Sequence, residues 1–422
     1  MKIYWILFIN LCTLINVFAQ EEETIKLTPE EIEAAFLKQN LELIAERMNI
    51  SIADAAVIQA RLWDNPTLSV GDVNFWTPRS EPKATQFSIE LSQLIQTANK
   101  RGKLVAMEKI SKDMAIRQFE EVVRGLKIEL RKSIYELMYL DAYQQVLKVQ
   151  VESLSKLLES YTKQVVRGNL AKGEILRLQA ALFEVENEMN EIQTERNAQQ
   201  KTLKVLLNVG PLVTIEIING DRPLESPEVL SITHLMQLAD DYHPGLRLFK
   251  LQTSYCEKSL AYEKAQRVPD ITVNASYDRY GGVWRNFVGF GISIGLPLLN
   301  RNQGAIKAAQ IRREQSLYAA RQQQQLVQHE ITEVLNNYTL AYKFYKKITE
   351  NALLEELDSM TDIYAKNLLN RNIGMAEYMD FMDTYKNNKH ILLTTYKNVF
   401  NQYEELQFTV GTDLSLLNNN VQ

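Results

Sequence analysis

Cysteine is nearly missing, with two in 422 residues. Cys12 lies inside an N-terminal apolar run without small residues before it, which argues against a lipid-modified cysteine. That leaves Cys256, so one copy can build neither a disulfide framework nor a cysteine zinc cluster. His234, His243, His329 and His390 are scattered, with no metal-ligand spacing among them. Positive charge is not in excess: 47 Lys and Arg against 52 Asp and Glu leave −5. No basic stripe stands ready to neutralise phosphates, so nucleic acid is not expected as a partner. A nucleophile elbow, a phosphate loop and a metal motif are all missing, which gives an enzyme no support and leaves no expected cofactor or metal. With 45% hydrophobic and 23% charged residues, the chain is neither wholly disordered nor a polytopic helical membrane protein. Proline is absent between Pro82 and Pro211 and again after Pro297. Two such tracts predict two long helical regions.

The first residues differ from the rest. Lys2 precedes a mostly apolar stretch, Ile3 to Phe18, and Val17-Phe18-Ala19 offers small residues at −3 and −1 before Gln20. This pattern predicts a cleaved secretory signal over 1–19. Length alone, at roughly 150 residues per domain, suggests two or three domains. An internal duplication replaces that expectation. A shift of 203 residues lays Leu43 on Leu246, Ser51 on Ser254, Pro66 on Pro269, Phe87 on Phe290, Tyr161 on Tyr364, Asn169 on Asn372, Glu174 on Glu377 and Leu203 on Leu406. One offset held over such a length indicates one unit built twice. The expected organisation is a first repeat over 20–210, a connector over 211–241, a second repeat over 242–413 and a tail over 414–422. Each repeat reads as a helix, a β-hairpin (67–95 and 270–298) and long helices (99–208 and 303–410).

In the hairpins the hydrophobic period is 2. Phe87, Ile89 and Leu91 alternate with Ser88, Glu90 and Ser92, and the partner strand runs from Thr67 to Trp76 across a loop containing Pro78, Arg79, Ser80, Glu81 and Pro82. In the second repeat Ile271, Val273, Ala275 and Tyr277 oppose Thr272, Asn274, Ser276 and Asp278. After Gly281-Gly282, Val288, Phe290, Ile292, Ile294 and Leu296 oppose Gly289, Gly291, Ser293 and Gly295. Strands of about ten residues, apolar on one face and small or polar on the other, have the pattern of membrane β-strands. Trp76, Tyr280, Trp284 and Phe287 cluster near the tips, where an aromatic girdle sits. For any single strand a soluble half-buried sheet explains the same alternation.

The helical tracts carry heptad spacing. Leu147, Val151, Leu154, Leu158, Tyr161 and Val165 form one stripe, and Ile175, Leu178, Leu182, Val185, Met189 and Ile192 another. The two runs meet at the turn Arg167 to Gly173, repeated at Asn370 to Gly374. From about Asn99 to Arg167 a single helix would extend roughly 100 Å at 1.5 Å per residue. Four strands cannot close a barrel, and open edges in hydrocarbon leave backbone groups unpaired at several kcal/mol each. If the hairpins lie in a membrane, copies must therefore share one barrel, and the polar, glycine-rich inner face favours about twelve strands from three copies over eight from two.

Taken together, Gln59 to Ser69, Val268 to Thr272, the stretch Gly374 to Asp383 and the duplication itself resemble the TolC-like outer-membrane efflux factors. Leu91-Ser-Gln-Leu-Ile-Gln followed by Lys100-Arg101-Gly102 looks like the CzcC/CusC-like heavy-metal branch. The resemblance implies a mixed, mainly α fold: long antiparallel coiled-coil helices forming an α-barrel, plus four transmembrane β-strands per protomer in a shared trimeric β-barrel. It implies a homotrimer in outer-membrane lipid with a large periplasmic part. The implied partners are a periplasmic adaptor (a membrane fusion protein) and an inner-membrane pump of the resistance-nodulation-division type. Function would be passive conduction of exported substrates, divalent or monovalent heavy-metal cations among them. A drug or detergent channel of the same fold and a periplasmic coiled-coil scaffold are the alternatives. Matched residue by residue, the family's acidic constriction falls on Asp380 and Asp383, against a solvated helix face as the ordinary reading. Gly168, Asn169, Leu170, Asn372, Ile373 and Gly374 become candidates for adaptor contact, against generic turn residues.

Overall fold

The computed structural model describes residues 24–74, 86–168, 170–218, 224–280, 283–351 and 353–414. The expected signal over 1–19, Trp76, the loop Pro78–Pro82, Asn169, Gly281, Gly282 and tail residues 415–422 lie outside them.

Strand β1 (Thr24–Leu27) leads into helix α1 (Pro29–Gln39) and helix α2 (Leu41–Arg61). Helix α1 starts where it does because Thr28 and Glu31 form a reciprocal cap: the Thr28 amide donates to Glu31 Oε2 (2.8 Å) and the Glu31 amide to Thr28 Oγ1 (3.3 Å). Pro29 follows at a position where a missing N–H costs nothing. Helix α2 stops before Pro66, and strands β2 (Thr67–Asn74) and β3 (Gln86–Ile95) form the first hairpin. Helix α3 (Lys100–Val166) then runs 67 residues without interruption, about 100 Å of helix, and helix α4 (Lys172–Leu207) returns along it.

Strand β4 (Thr214–Ile217) pairs in parallel with β1. Helices α5 (Ile232–Tyr242) and α6 (Pro244–Ala265) lead to strands β5 (Ile271–Asp278) and β6 (Phe287–Ile294). Helices α7 (Gln303–Thr349), α8 (Leu353–Leu369) and α9 (Met375–Val410) complete the described chain. Helices α1 and α5, and likewise α4 and α9, correspond end to end at the shift of 203. Helix α5 therefore occupies the end of the segment 211–241 that reads as a connector in sequence and runs one residue past it. Eleven residues present too few turns for periodicity to mark them.

The long helix is continuous in only one of the repeats. Where α3 is unbroken, the second repeat interrupts its long helix between α7 and α8. Thr349 Oγ1 donates back to the Tyr345 and Lys346 carbonyls, and the Asn351 amide closes a tighter bond on Ile348. Such local bonds compete with the helical ladder.

Three buried clusters hold the helices together. Near the turns, Leu147, Leu154, Tyr161, Leu178, Val185 and Ile192 from the heptad stripes pack with Tyr378, Phe381 and Met382 of α9. A second cluster joins Tyr338, Leu406 and Val399 to Leu235 of α5, and a third joins Ile32 and Phe36 of α1 to Leu130 and Leu203. Where α9 ends, Gly411 turns with φ +87 against His243, and an added Cβ would lie 2.6 Å from His243 Cα. Gly411→Ala is expected to lower the thermal midpoint, since the left-handed conformation alone costs about 1–2 kcal/mol and the contact is backbone. Gly125→Ala, in open space within α3, should raise it slightly by about 0.5–1 kcal/mol. Circular dichroism melts of both variants check the pair, and an unchanged midpoint for Gly411→Ala would count against the close packing.

Candidate functional site

The two hairpins merge into one antiparallel sheet in the order β2-β3-β5-β6, with β3 and β5 joining the repeats. Its cross-strand rows alternate in chemistry. Leu68, Leu91, Ala275 and Phe290 form one row, and Val70, Ile89, Tyr277 and Val288 another. Between them lie Ser69, Glu90, Ser276 and Gly289, and next Thr67, Ser92, Asn274 and Gly291. The apolar rows face outward: Phe290 is 86% exposed and Ile292 71%. On the opposite face Asn274 Nδ2 donates to Glu90 Oε1 (3.1 Å) and Ser88 Oγ to Asp72 Oδ2 (2.9 Å). One side thus presents bare hydrocarbon and the other carboxylates, amides and hydroxyls. Strand β6 ends at Ile294 rather than continuing to the expected 298, because its partner β5 begins at Ile271, after Pro269, which has no N–H to give, and Asp270, which Lys100 and the Thr97 amide hold.

The passage from sheet to helix is bolted by the Lys100-Arg101 pair. Lys100 Nζ, almost fully buried, meets Asp270 Oδ1 at 2.8 Å, and the Thr97 amide donates to the same oxygen at 2.8 Å. The Arg101 guanidinium stacks 3.5 Å above the Trp63 ring. These contacts tie the start of α3 to the strand entry of both repeats.

At the far end, the turn between α3 and α4 passes through Gly168 with φ +74, a conformation that favours glycine. Leu170 and Ile373 are half-buried and pack on the turn-end cluster, while Gly168, Asn372 and Gly374 are exposed. Gly374 precedes α9. Asp380 and Asp383 sit on one exposed face of α9, opposite the buried Tyr378, Phe381, Met382 and Tyr385. The five described candidates and the two acids thus gather at one end of the bundle, while Asn169 lies outside the described residues.

Between sheet and turns lies a charge cluster that the sequence reading misses. Arg131 of α3 reaches Glu404 Oε2 (2.6 Å), Asp413 Oδ1 (2.9 Å) and Glu33 Oε2 (3.0 Å), and Lys127 joins Glu33 (2.6 Å) and Asp413 (2.8 Å). Glu404 is 3% exposed. Burial pushes the Glu33 and Asp413 carboxyls up, but the opposing charges of Arg131 and Lys127 win and hold both below the usual carboxylate range. Nearby, His243 Nδ1 accepts the Leu246 amide (3.3 Å) and caps α6, while Arg124 Nη1 donates to the Phe408 carbonyl (2.5 Å) at the end of α9. In the first repeat Asn40 does both jobs alone, accepting the Leu43 amide and donating to the Leu206 carbonyl, each at 2.9 Å. Burial and the Arg124 charge lower the His243 pKa to about 4, so this capping imidazole is neutral near pH 7. Among the described residues no group of three or more His, Cys, Asp or Glu could hold a metal ion, and no helix is long and apolar enough to cross a membrane.

Residues 34–209 match the family model described as outer membrane efflux protein. The cobalt-zinc-cadmium resistance protein CzcC of Cupriavidus metallidurans is 18% identical over 299 residues, spanning 70% of this chain and 69% of that protein. Among solved structures, CusC aligns with TM-score 0.73 and 15% identity over 92% of each chain. The CmeC outer membrane channel of Campylobacter jejuni aligns with TM-score 0.75 and 13% identity over 93% of this chain and 88% of that one. These neighbours carry the mainly helical fold with a strand sheet at one end, and theirs is the fold of channel proteins rather than of enzymes.

Proposed function

We propose that this chain, whose residues 34–209 match the outer membrane efflux protein family model, is the outer-membrane channel of a tripartite efflux system. The observation that carries the reading is the sheet, bare hydrocarbon on one face and carboxylate-bearing on the other, continuous with helices about 100 Å long. Three copies close twelve strands around an aqueous lumen lined by Asp72, Glu90 and Asp278, while the helices form a tunnel across the periplasm. An inner-membrane pump of the resistance-nodulation-division type delivers substrate, and a periplasmic adaptor seats on Gly168, Asn169, Leu170, Asn372, Ile373 and Gly374. Asp380 and Asp383, three of each in the ring, line the constriction at that end. Conduction is passive and needs no cofactor. The cargo is a divalent heavy-metal cation of the kind named for the cobalt-zinc-cadmium relative.

The lipid-facing assignment has a direct test. Phe290→Lys places a charge in hydrocarbon at about 2–4 kcal/mol per copy and is expected to deplete heat-modifiable oligomers from outer-membrane fractions. Ser276→Lys, on the polar face, should leave their amount unchanged and lower cation preference in planar bilayers. Equal loss in both variants, or in neither, would remove the membrane assignment. For the cargo, a strain lacking the protein should become sensitive to cobalt, zinc or cadmium. Sensitivity confined to dyes and bile-type detergents would make it a drug channel of the same fold instead.

A further inference from the structure

We propose that the second repeat carries a binding site for an anionic glycerophospholipid at the periplasmic edge of the barrel, with the lipid phosphate held by Arg267, Arg301 and Lys307. The site rests on the reading of the sheet as membrane-embedded. Arg267, at the end of α6, and Arg301 and Lys307, around the start of α7, line one open cavity of about 590 Å³ together with Leu299 and Gln303. All three cations are exposed, and among the described residues none forms an ion pair. The carboxylates nearest in the fold are already engaged. Glu263 accepts Asn302 Nδ2 at 2.6 Å, and Asp270 is held by Lys100 and the Thr97 amide. Helix α7 adds its own positive end, with no acid in the first turn and open space at Gly304.

Hydrocarbon leads straight to these charges. The outward row of β6 continues past the strand: Ile292, Ile294, Leu296 and Leu298 are 71%, 46%, 70% and 69% exposed, and Leu299 is 94% exposed. An acyl chain along that row would bring its phosphate to the cavity. Free inorganic phosphate would use the cations but gain nothing from the leucines.

The duplication supplies an internal control. At the shift of 203, Arg267 corresponds to Asp64, Arg301 to Ala98 and Lys307 to Leu104. The first repeat makes the same strand-to-helix passage with different cations, Lys100 and Arg101, which Asp270 and the Trp63 ring engage, and Asp64 there serves Gln93 and Gln96. The turn therefore does not need Arg267, Arg301 and Lys307 to fold. Their charge calls for another partner.

The test uses the whole protein in phosphatidylcholine vesicles containing phosphatidylglycerol, followed by release into mild detergent and native mass spectrometry of the lipid retained. The wild type is expected to retain phosphatidylglycerol in preference to phosphatidylcholine. Each charge removed in the series Arg301→Gln, Arg267→Gln and Lys307→Gln should cut retention about fivefold. Leu299→Glu, at a nearly fully exposed position, should also reduce it and cannot disturb a core. Equal retention by wild type and the triple variant overturns the site, as does displacement of the lipid by excess inorganic phosphate. A wild type that never enters vesicles overturns the membrane reading and this site with it. One that enters, yet binds phosphatidylglycerol regardless of the three cations, overturns this site alone.

Discussion

Planar bilayers holding the Asp380→Ala, Asp383→Ala double variant are expected to lose most of the cation preference of the wild type. Both acids stand on the exposed face of α9, next to a turn, and in the proposed trimer they would bring six like charges toward one axis. Rings of carboxylates attract cations into a constriction and repel anions. Removing all six leaves the pore wall in place, because the residues that pack α9 are Tyr378, Phe381, Met382 and Tyr385 on its other side. Oligomer amount and thermal midpoint should therefore stay as in the wild type while the reversal potential moves toward that of an unselective pore. Neutralising the acids also removes mutual repulsion at the closed end, so the shut state should last longer between openings. An unchanged reversal potential would return both aspartates to the role of solvated surface residues.

Arg131→Met should be the most damaging single substitution in the helical body. It leaves Glu404, 3% exposed, with its buried charge uncompensated, and removes one of the two cations that Glu33 and Asp413 share. Breaking a buried pair from one side typically costs about 3–5 kcal/mol. The double variant Arg131→Met, Glu404→Met should recover a large part of that loss, because it removes the stranded charge as well. Denaturant titration of the three proteins measures the coupling. A pH series provides a second signature. Glu33 and Asp413 have folded pKa values below their unfolded ones, so they add stability that is fully present above the ordinary carboxylate range and is lost as pH falls through the lowered values. The acid limb of the stability profile should be steep in the wild type and flatter in Arg131→Met. Parallel acid limbs would show that the cluster contributes nothing to the acid response.

The parts of this architecture that could be read in advance are those set by local periodicity. Ile89 and Leu91 alternate with Glu90 and Ser92 whatever the rest of the chain does, and the apolar stripes from Leu147 and Ile175 announce a helical pair by themselves. The Arg131 cluster could not be read in this way. Its members come from positions 33, 127, 131, 404 and 413, and only the packing of α1 and of the end of the second repeat against α3 brings them together. Flanked by Leu130 and Ile134, Arg131 lies beside an apolar stripe, which was the one available hint. The shared capping work of His243 and Arg124 was hidden for the same reason, since 119 residues separate them. The break before α8 is likewise hard to read, because Thr349 and Asn351 redirect the backbone bonds only locally. For Asp380 and Asp383, spacing placed both on one face, and their exposure is what a gate and a solvated surface alike require. Electrical measurement decides between these.

Strands β2 and β6 are the two free edges of the sheet, and they are unlike. In the proposed shared barrel a copy joining another would set its β2 against the neighbour's β6, so a pair of copies would still end in one edge of each kind. Nothing halts addition at two, and only the curvature that lets the last β6 meet the first β2 ends it. Assembly is then a stepwise process whose early stages depend on concentration and whose final stage does not. At low protein density the slow events are encounters between copies, and half-built arcs should accumulate. Once three copies are joined, closing the ring is unimolecular, and dilution no longer reverses it.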